Sequence, residues 1–144
     1  MRIRSLAHTR YQHQFHIVWG TKYRRRFIIP AVKVELVRMI FDFIKTQPEL
    51  HIETLNTDYD HIHMQIEMPP SILESSVVQR IKWITSIKLK KKFGFINKMY
   101  LKRQSVWSAG YFSSTIGLNE EQIKEYIQHQ GRKDKPAQVK LGFS

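Results

Sequence analysis

Residues 61–68 read His61-Ile62-His63-Met64-Gln65-Ile66-Glu67-Met68, and this alternation governs the reading of the whole chain. Successive side chains of a β-strand project to opposite faces. Ile62, Met64, Ile66 and Met68 therefore make one apolar face, which has to meet other apolar elements. His61, His63, Gln65 and Glu67 make the other, which has to look away from them. The two imidazoles leave the strand on the same side, with Cβ atoms about 6–7 Å apart, twice the strand rise. At that spacing they can converge on one metal ion. They also suit a plain solvated polar face, and the strand alone admits both readings.

Working outward, residues 50–57 (LHIETLNT) form a strand, and Asp58, Tyr59 and Asp60 turn it into a hairpin with the histidine strand. Asp60 is a turn residue here, a further ligand, or a group that orients His61. Pro69 and Pro70 stop the pair. Upstream, residues 14–22 (QFHIVWGTK) alternate as a first strand. Pro30 opens a helix that runs to about Thr46, with Leu36, Ile40 and Ile44 at a spacing of four and Val37 and Phe41 beside them. Downstream, a second helix covers about 74–92, with Val77, Ile81 and Ile84 on one face, and Gly94 closes it. Residues 105–115 (SVWSAGYFSST) predict a fourth strand, broken by Gly117. Asn119 caps a last helix, with Gln122 completing a capping box. That helix is expected to end near Gln130, with Gly131 as its stop. Residues 1–12 and 131–144 read as loose ends.

The order is strand, helix, strand, strand, helix, strand, helix. It predicts an α+β fold of the ferredoxin-like split βαβ type. A four-stranded, mainly antiparallel sheet should carry two helices on one face, with the terminal helix on the other. A single domain spans 1–144, its folded part about 14–131.

Composition narrows the function. The chain has no cysteine, which excludes disulfides, thiolate zinc sites and a cysteine nucleophile. No apolar run approaches the roughly 18 residues of a membrane span, and the polar start, MRIRSLAHTRYQHQ, lacks a signal-peptide core. Cytoplasmic residence is the expectation. Lys and Arg number 24 against 12 Asp plus Glu, a formal net charge of +12. Such a surplus on a small domain points to a polyanion, nucleic acid before membrane. The basic residues cluster: Lys22, Arg24, Arg25 and Arg26 after the first strand; Lys88, Lys90, Lys91, Lys92, Lys98, Lys102 and Arg103 in the second helix and its linker; Arg132, Lys133, Lys135 and Lys140 at the end. With Tyr23, Tyr100 and Trp107 they suit a phosphate track with base-stacking positions. Trp19, Trp83 and Trp107 are also candidates for the core.

In the last helix, Ile123, Tyr126, Ile127 and Gln130 fall at i, i+3, i+4 and i+7 and share a face. This is either a core stripe with a tyrosine at its edge or a face that docks beside the histidines. Gln130 is odd for pure packing, because a buried amide needs partners. In the second case a phenol and an amide oxygen approach the metal. A divalent ion on a phosphodiester withdraws charge and orients it. A tyrosine hydroxyl, with a free pKa of about 10, needs such help or a base to attack.

These segments closely resemble the single-tyrosine HUH transposases of the smallest bacterial and archaeal insertion sequences, the TnpA type. The resemblance spans about 14–131 and rests on FHIVWGTKYRRRF, TDYDHIHMQIEMPP, VWSAGYFSSTIG and EEQIKEYIQHQ. It implies that His61 and His63 ligate magnesium or manganese, with Gln130 as third ligand. It implies that Tyr126 forms a 5′-phosphotyrosine and releases a 3′-OH. It further implies single-stranded DNA with a hairpin near each element end as partner, and a homodimer sharing the site between chains. Lys22, Tyr23, Arg24, Arg25, Arg26, Lys88, Lys91 and Lys92 are the expected DNA contacts. Gly20 departs from the pattern only in size. The alternative is a noncatalytic single-stranded nucleic-acid-binding module of RNA-recognition type, which shares the strand order but places aromatics where His61 and His63 stand. A replication initiator or relaxase usually needs a larger chain.

Overall fold

The apolar side of the histidine strand has to be covered, and two helices cover it. The computed structural model describes residues 13–134. Its elements are β1 (His13–Gly20), a 3₁₀ turn (Lys22–Arg24), α1 (Pro30–Lys45), β2 (His51–Asp58), β3 (His61–Met68), α2 (Glu74–Lys92), α3 (Gly94–Met99), β4 (Phe112–Ser114) and α4 (Glu120–Asp134). The sheet runs β2-β3-β1-β4 with every neighbour antiparallel. This is the expected split βαβ arrangement, with β3 and β1 central.

β1 and β3 pair along their whole lengths, from His13 with Met68 to Gly20 with His61. That register sets Ile17 and Trp19 beside Met64 and Ile62 on one face, and Val18 beside His63 on the other. The first face packs on Leu36 and Ile40 of α1 and Val77, Val78 and Ile81 of α2, all nearly free of solvent contact. Each fully buried aliphatic side chain contributes about 1.5–3 kcal/mol, so this layer is the main source of stability. A bulge between Ile52 and Thr54 shifts the β2 register by one. It lets Ile52 and Leu55, three apart, both face the helices, opposite Ile66 and Met64. Pro30 occupies the first turn of α1, where its missing N–H costs nothing. The capping box of α4 forms as read: Gln122 N–H donates to Asn119 Oδ1 at 2.8 Å, and Asn119 N–H donates to Gln122 Oε1 at 3.0 Å.

Three boundaries differ from expectation. The predicted fourth strand shrinks to Phe112–Ser114, with only an isolated bridge between Thr21 and Trp107 ahead of it. Side chains of α2 capture the rest. The Trp107 indole donates to Thr85 Oγ1 at 2.9 Å, and the Val106 N–H donates to Ser86 Oγ at 3.1 Å. Gly110, at φ +81, completes the departure. Gly94 does not end the second helix but starts α3, because Phe93 is already extended (φ −118, ψ 103). Finally, α4 runs through Gly131 to Asp134. A Cβ at Gly131 would collide with the Arg24 side chain, so glycine serves close approach there, not termination. The loose end expected at 131–144 is helical as far as Asp134; the rest of it and residues 1–12 lie outside the described residues.

Candidate functional site

β3 presents His61 and His63 on the face away from α1 and α2. The register brings Gly20 opposite His61 and Val18 opposite His63 from β1, and Asp58 and Asn56 from β2. The His61 ring nitrogen Nδ1 lies 2.8 Å from Asp60 Oδ1. With Nδ1–H donated to the carboxylate, Nε2 keeps its lone pair and can ligate. Arg24 Nε stands 3.5 Å from the other Asp60 oxygen. Burial pushes the Asp60 carboxyl up, but His61 and Arg24 outweigh it and hold it below the usual carboxylate range. Asp60 therefore acts through its neighbour: it orients His61.

His63 has a different environment. Its Nε2 is buried with no hydrogen-bond partner. Burial, then the neighbouring His16 and His61, lower its pKa below the ordinary histidine value, so the ring is held neutral with a free lone pair. A buried polar atom without a hydrogen-bond partner calls for an explanation, and a nitrogen suited to ligate a metal ion is one. His16 of β1 lies close by, with ring centroids 5.8 Å apart and its own Nδ1 buried and unpartnered. Sequence reasoning passed over His16. Its signal was the alternation Gln14, His16, Val18, Gly20, which sets it on the histidine face.

Asp60, His61 and His63 border an open cavity of about 690 Å³. Arg24 and Arg26 also line it, as does one flank of α4 through Glu120, Lys124 and Gln128. The arginines arrive by a strained turn: Tyr23 and Arg24 have φ of +62 and +54, where side chains are normally disfavoured. The strain is held by specific bonds. Tyr23 N–H donates to Asp134 Oδ2 at 2.9 Å, Arg24 N–H donates to the Thr21 carbonyl, and the Gln104 amide donates to Tyr23 Oη at 2.8 Å.

α4 lies over β1. Ile123 and Ile127 bury themselves on Val18 in a second, small core, and Ile127 fits above Gly20, where a Cβ would sit 3.1 Å from its Cδ1. This docking decides where the tyrosine goes. Tyr126 stacks on Phe112 of β4, with centroids 5.8 Å apart. Gln130 Nε2 donates to Tyr126 Oη at 3.3 Å, and both approach Gly110. Burial pushes the Tyr126 phenol up to about 12; the Gln130 bond opposes this and the Asp134 carboxylate adds to it. Of the two readings of this helix face, the core stripe with a tyrosine at its edge describes the single chain. The isoleucines point down, and Tyr126 and Gln130 fall on the β4 flank of α4, while the histidine cavity borders its β3 flank.

The expected basic contacts divide between two layers. Arg24 and Arg26 reach the histidine cavity, and Arg26 also covers the Tyr59 ring. Arg25 lies over Tyr23 and Tyr100, and Lys22 over Tyr23. Lys88, Lys91 and Lys92 stand on α2, across the sheet, with Lys92 paired to Glu35 at 3.3 Å. Tyr100 and Trp107 are 6% and 1% exposed, too buried to stack on bases, contrary to expectation. Trp19 is in the core as read, whereas Trp83 is 68% exposed. Lys135 and Lys140 lie outside the described residues.

A histidine pair on an open sheet face beside an arginine-lined cavity suits the class of proteins that bind phosphate-rich polymers such as nucleic acid. Comparison with known proteins narrows the class. The sequence profile of the family described as "Transposase IS200 like" matches residues 9–130. The transposase for insertion sequence element IS200 of Salmonella typhimurium is 36% identical over 132 residues, covering 92% of this chain and 86% of that protein. The ISDra2 transposase TnpA of Deinococcus radiodurans is 26% identical over 129 residues, covering 86% and 88%. Among solved structures, a crystal structure from Deinococcus radiodurans R1 superposes with a TM-score of 0.70 at 23% identity, covering 83% of this chain and 92% of the other. A REP-associated tyrosine transposase bound to a REP hairpin gives 0.56 at 17% identity, covering 92% and 70%. The chain belongs to the IS200-like transposase family. Transposition requires DNA to be cut and joined, so membership makes it a DNA-cleaving enzyme.

Proposed function

We propose that this transposase cuts and rejoins single-stranded DNA at insertion-sequence ends, with Tyr126 as nucleophile and a divalent ion, magnesium or manganese, held by His61, His63 and Gln130. One observation carries the reading. His63 Nε2, buried and unpartnered, and His61 Nε2, left open by the Asp60 contact, share one face of one arginine-lined cavity. Two imidazole nitrogens and an amide oxygen make a fitting donor set for a divalent ion. Bound there, the ion would withdraw charge from a phosphate and orient it.

The remaining work falls to the side chains. Arg24 and Arg26 draw the anionic backbone into the cavity. Tyr126 Oη bonds to the phosphorus as the bond from phosphorus to the 3′ oxygen breaks. The phenol gives up its proton and the leaving oxygen takes one up, so charge balances. The resulting 5′-phosphotyrosine stores the bond energy, and a 3′-OH from another strand reverses the step without nucleotide hydrolysis. Gln130 donates from Nε2 to Tyr126 Oη and leaves its amide oxygen free to ligate.

Tyr126 and Gln130 stand on the wrong flank of α4 for their own histidines. A homodimer resolves this, α4 of one protomer serving the histidines of its partner. Gly117, with nothing within 4 Å of the place a Cβ would take, leaves the helix connection free to adjust. The solved relative bound to a REP hairpin supports hairpin-bearing DNA as the substrate class. No described helix is long and apolar enough to cross a membrane, and a DNA substrate puts the work in the cytoplasm.

The test is covalent capture. A labelled single-stranded oligonucleotide carrying the element end, incubated with manganese, should give a protein–DNA adduct on a denaturing gel. Tyr126→Phe and His63→Ala should each lose it by about 10³-fold or more. Mixing the two inactive variants should restore part of the adduct, because one composite site per mixed dimer is intact. Wild-type protein that forms no adduct on its own element end overturns the reading.

A further inference from the structure

The histidine cavity leaves one conspicuous side chain unexplained. Trp83 of α2 is 68% exposed, whereas Trp19 and Trp107 are 0% and 1% exposed. Water-facing indole is costly and needs a reason when it does not stand alone. On the helix, Ile87 and Lys91 follow Trp83 at i+4 and i+8, and Arg80 precedes it at i−3, so all four share the outward stripe. Ile87 is 44% exposed. At the end of this stripe Lys90 Nζ donates to the carbonyls of Leu101, Lys102 and Gln104. That grip brings the corner carrying Leu101, 76% exposed, and the charges of Lys102 and Arg103 against the helix.

The charge of this region selects the partner. Between Glu74 and Glu120 the sequence contains no acidic residue and nine basic ones, Arg80 and Lys82 to Lys102 and Arg103. An apolar patch made for another protein usually carries a rim of both signs. An exposed aromatic on a basic helix where Lys92 has an acidic partner, Glu35, and Arg80 and Lys91 have none among the described residues matches a polyanion with exposed rings. Unpaired bases are such rings; those inside a duplex are already stacked.

We propose that Trp83 is a stacking platform for an unpaired base, and that the outer face of α2 is a second DNA-binding surface, across the sheet from the reacting site. The inference rests on the reading of the chain as an enzyme of single-stranded DNA. Arg80, Lys91, Lys102 and Arg103 hold the phosphates, and the indole takes the base. A strand held there gains affinity without touching the chemistry, because α1, α2 and the sheet separate it from His61 and His63.

Tryptophan fluorescence of the full chain, titrated with (dT)₂₀, tests it. The two other indoles are buried, so quenching by the oligonucleotide reports Trp83. Trp83→Ala should weaken (dT)₂₀ binding about tenfold, Trp83→Phe much less, because a phenyl ring still stacks. The log–log salt slope should be unchanged in Trp83→Ala and shallower by about one in Lys91→Ala. A matched duplex should bind with the same affinity to Trp83→Ala as to wild type. Unchanged (dT)₂₀ affinity in Trp83→Ala overturns the proposal. So does a variant that sediments as a smaller species while binding DNA normally, which would make the patch a contact between copies. The adduct assay separates this from the enzymatic reading: wild type that makes no adduct, yet binds (dT)₂₀ through Trp83, keeps the surface and loses the chemistry.

Discussion

β3 and α4 carry the two halves of the proposed site, and the molecule holds them in opposite ways. β3 is paired on both sides along its length, and Ile62, Met64 and Ile66 beneath it have no solvent exposure. His61 and His63 therefore stand on the most constrained strand of the fold. α4 rests on Val18 through two isoleucines. At its end Asp134 accepts hydrogen bonds from the Tyr23 N–H and the Ser108 hydroxyl. Its connection passes Gly117, which has open space around it. The strand proposed to hold the ligands is built in, and the helix proposed to carry the nucleophile is attached. A site divided as proposed would keep the two histidines fixed while the tyrosine helix changes place.

The largest effect should come from breaking the rigid half. Met64→Ala, directly beneath the histidine face, should cost about 2–5 kcal/mol in urea denaturation, because the emptied volume cannot be refilled by a paired strand. The attached half should behave otherwise. Ile127→Ala removes one of the two isoleucines that seat α4, and its contacts lie outside the main core. The urea midpoint should move much less than for Met64→Ala, while amide exchange in residues 120–134 accelerates and that of β1 and β3 does not. An Ile127→Ala midpoint as low as that of Met64→Ala would mean that α4 and the sheet form one cooperative unit, and the contrast would fail.

The same division explains what was legible beforehand. The β3 alternation has a period fixed by backbone geometry alone, so its two faces, and the shared side of His61 and His63, could be read without coordinates. The Asn119 and Gln122 cap was legible for the same reason: it closes within four residues. What escaped depended on partners distant in sequence. Residues 105–111 read as strand until Thr85 and Ser86 of α2 claimed them. Gly131 read as a helix stop because Arg24, whose side chain needs the space, is more than a hundred residues away. Trp83 read as core because an apolar residue near a buried stripe gives no sign of which side of the helix it leaves. The flank taken by Tyr126 was hidden too. Four residues on one stripe still spread over an arc of about 100°; Ile123 and Ile127, on one side of it, took Val18, and Tyr126, at the other end, met Phe112.

The smallest effect tests the position of Tyr126 itself. Its phenol is raised from 10 to about 12, chiefly by burial against β4. Below pH 10 folded and unfolded chains both keep this proton, and the group adds no pH dependence. Between pH 10 and 12 the unfolded chain releases it while the folded chain holds it. The unfolded state then binds fewer protons, and stability falls as pH rises. Tyr126→Phe lacks this loss. Tyr111, raised to about 12, and Lys82, lowered to about 8, titrate alike in both proteins and cancel in the difference. Wild-type stability minus that of Tyr126→Phe, from urea curves, should be level from pH 8 to 10 and decline above it. In an Ile127→Ala background the decline should vanish, because an undocked phenol titrates as a free one. A difference that stays level through pH 11 in the wild-type background would mean that Tyr126 does not rest on Phe112 in solution. The helix would then be spending its time elsewhere, and the flank assigned to the nucleophile would have to be redrawn.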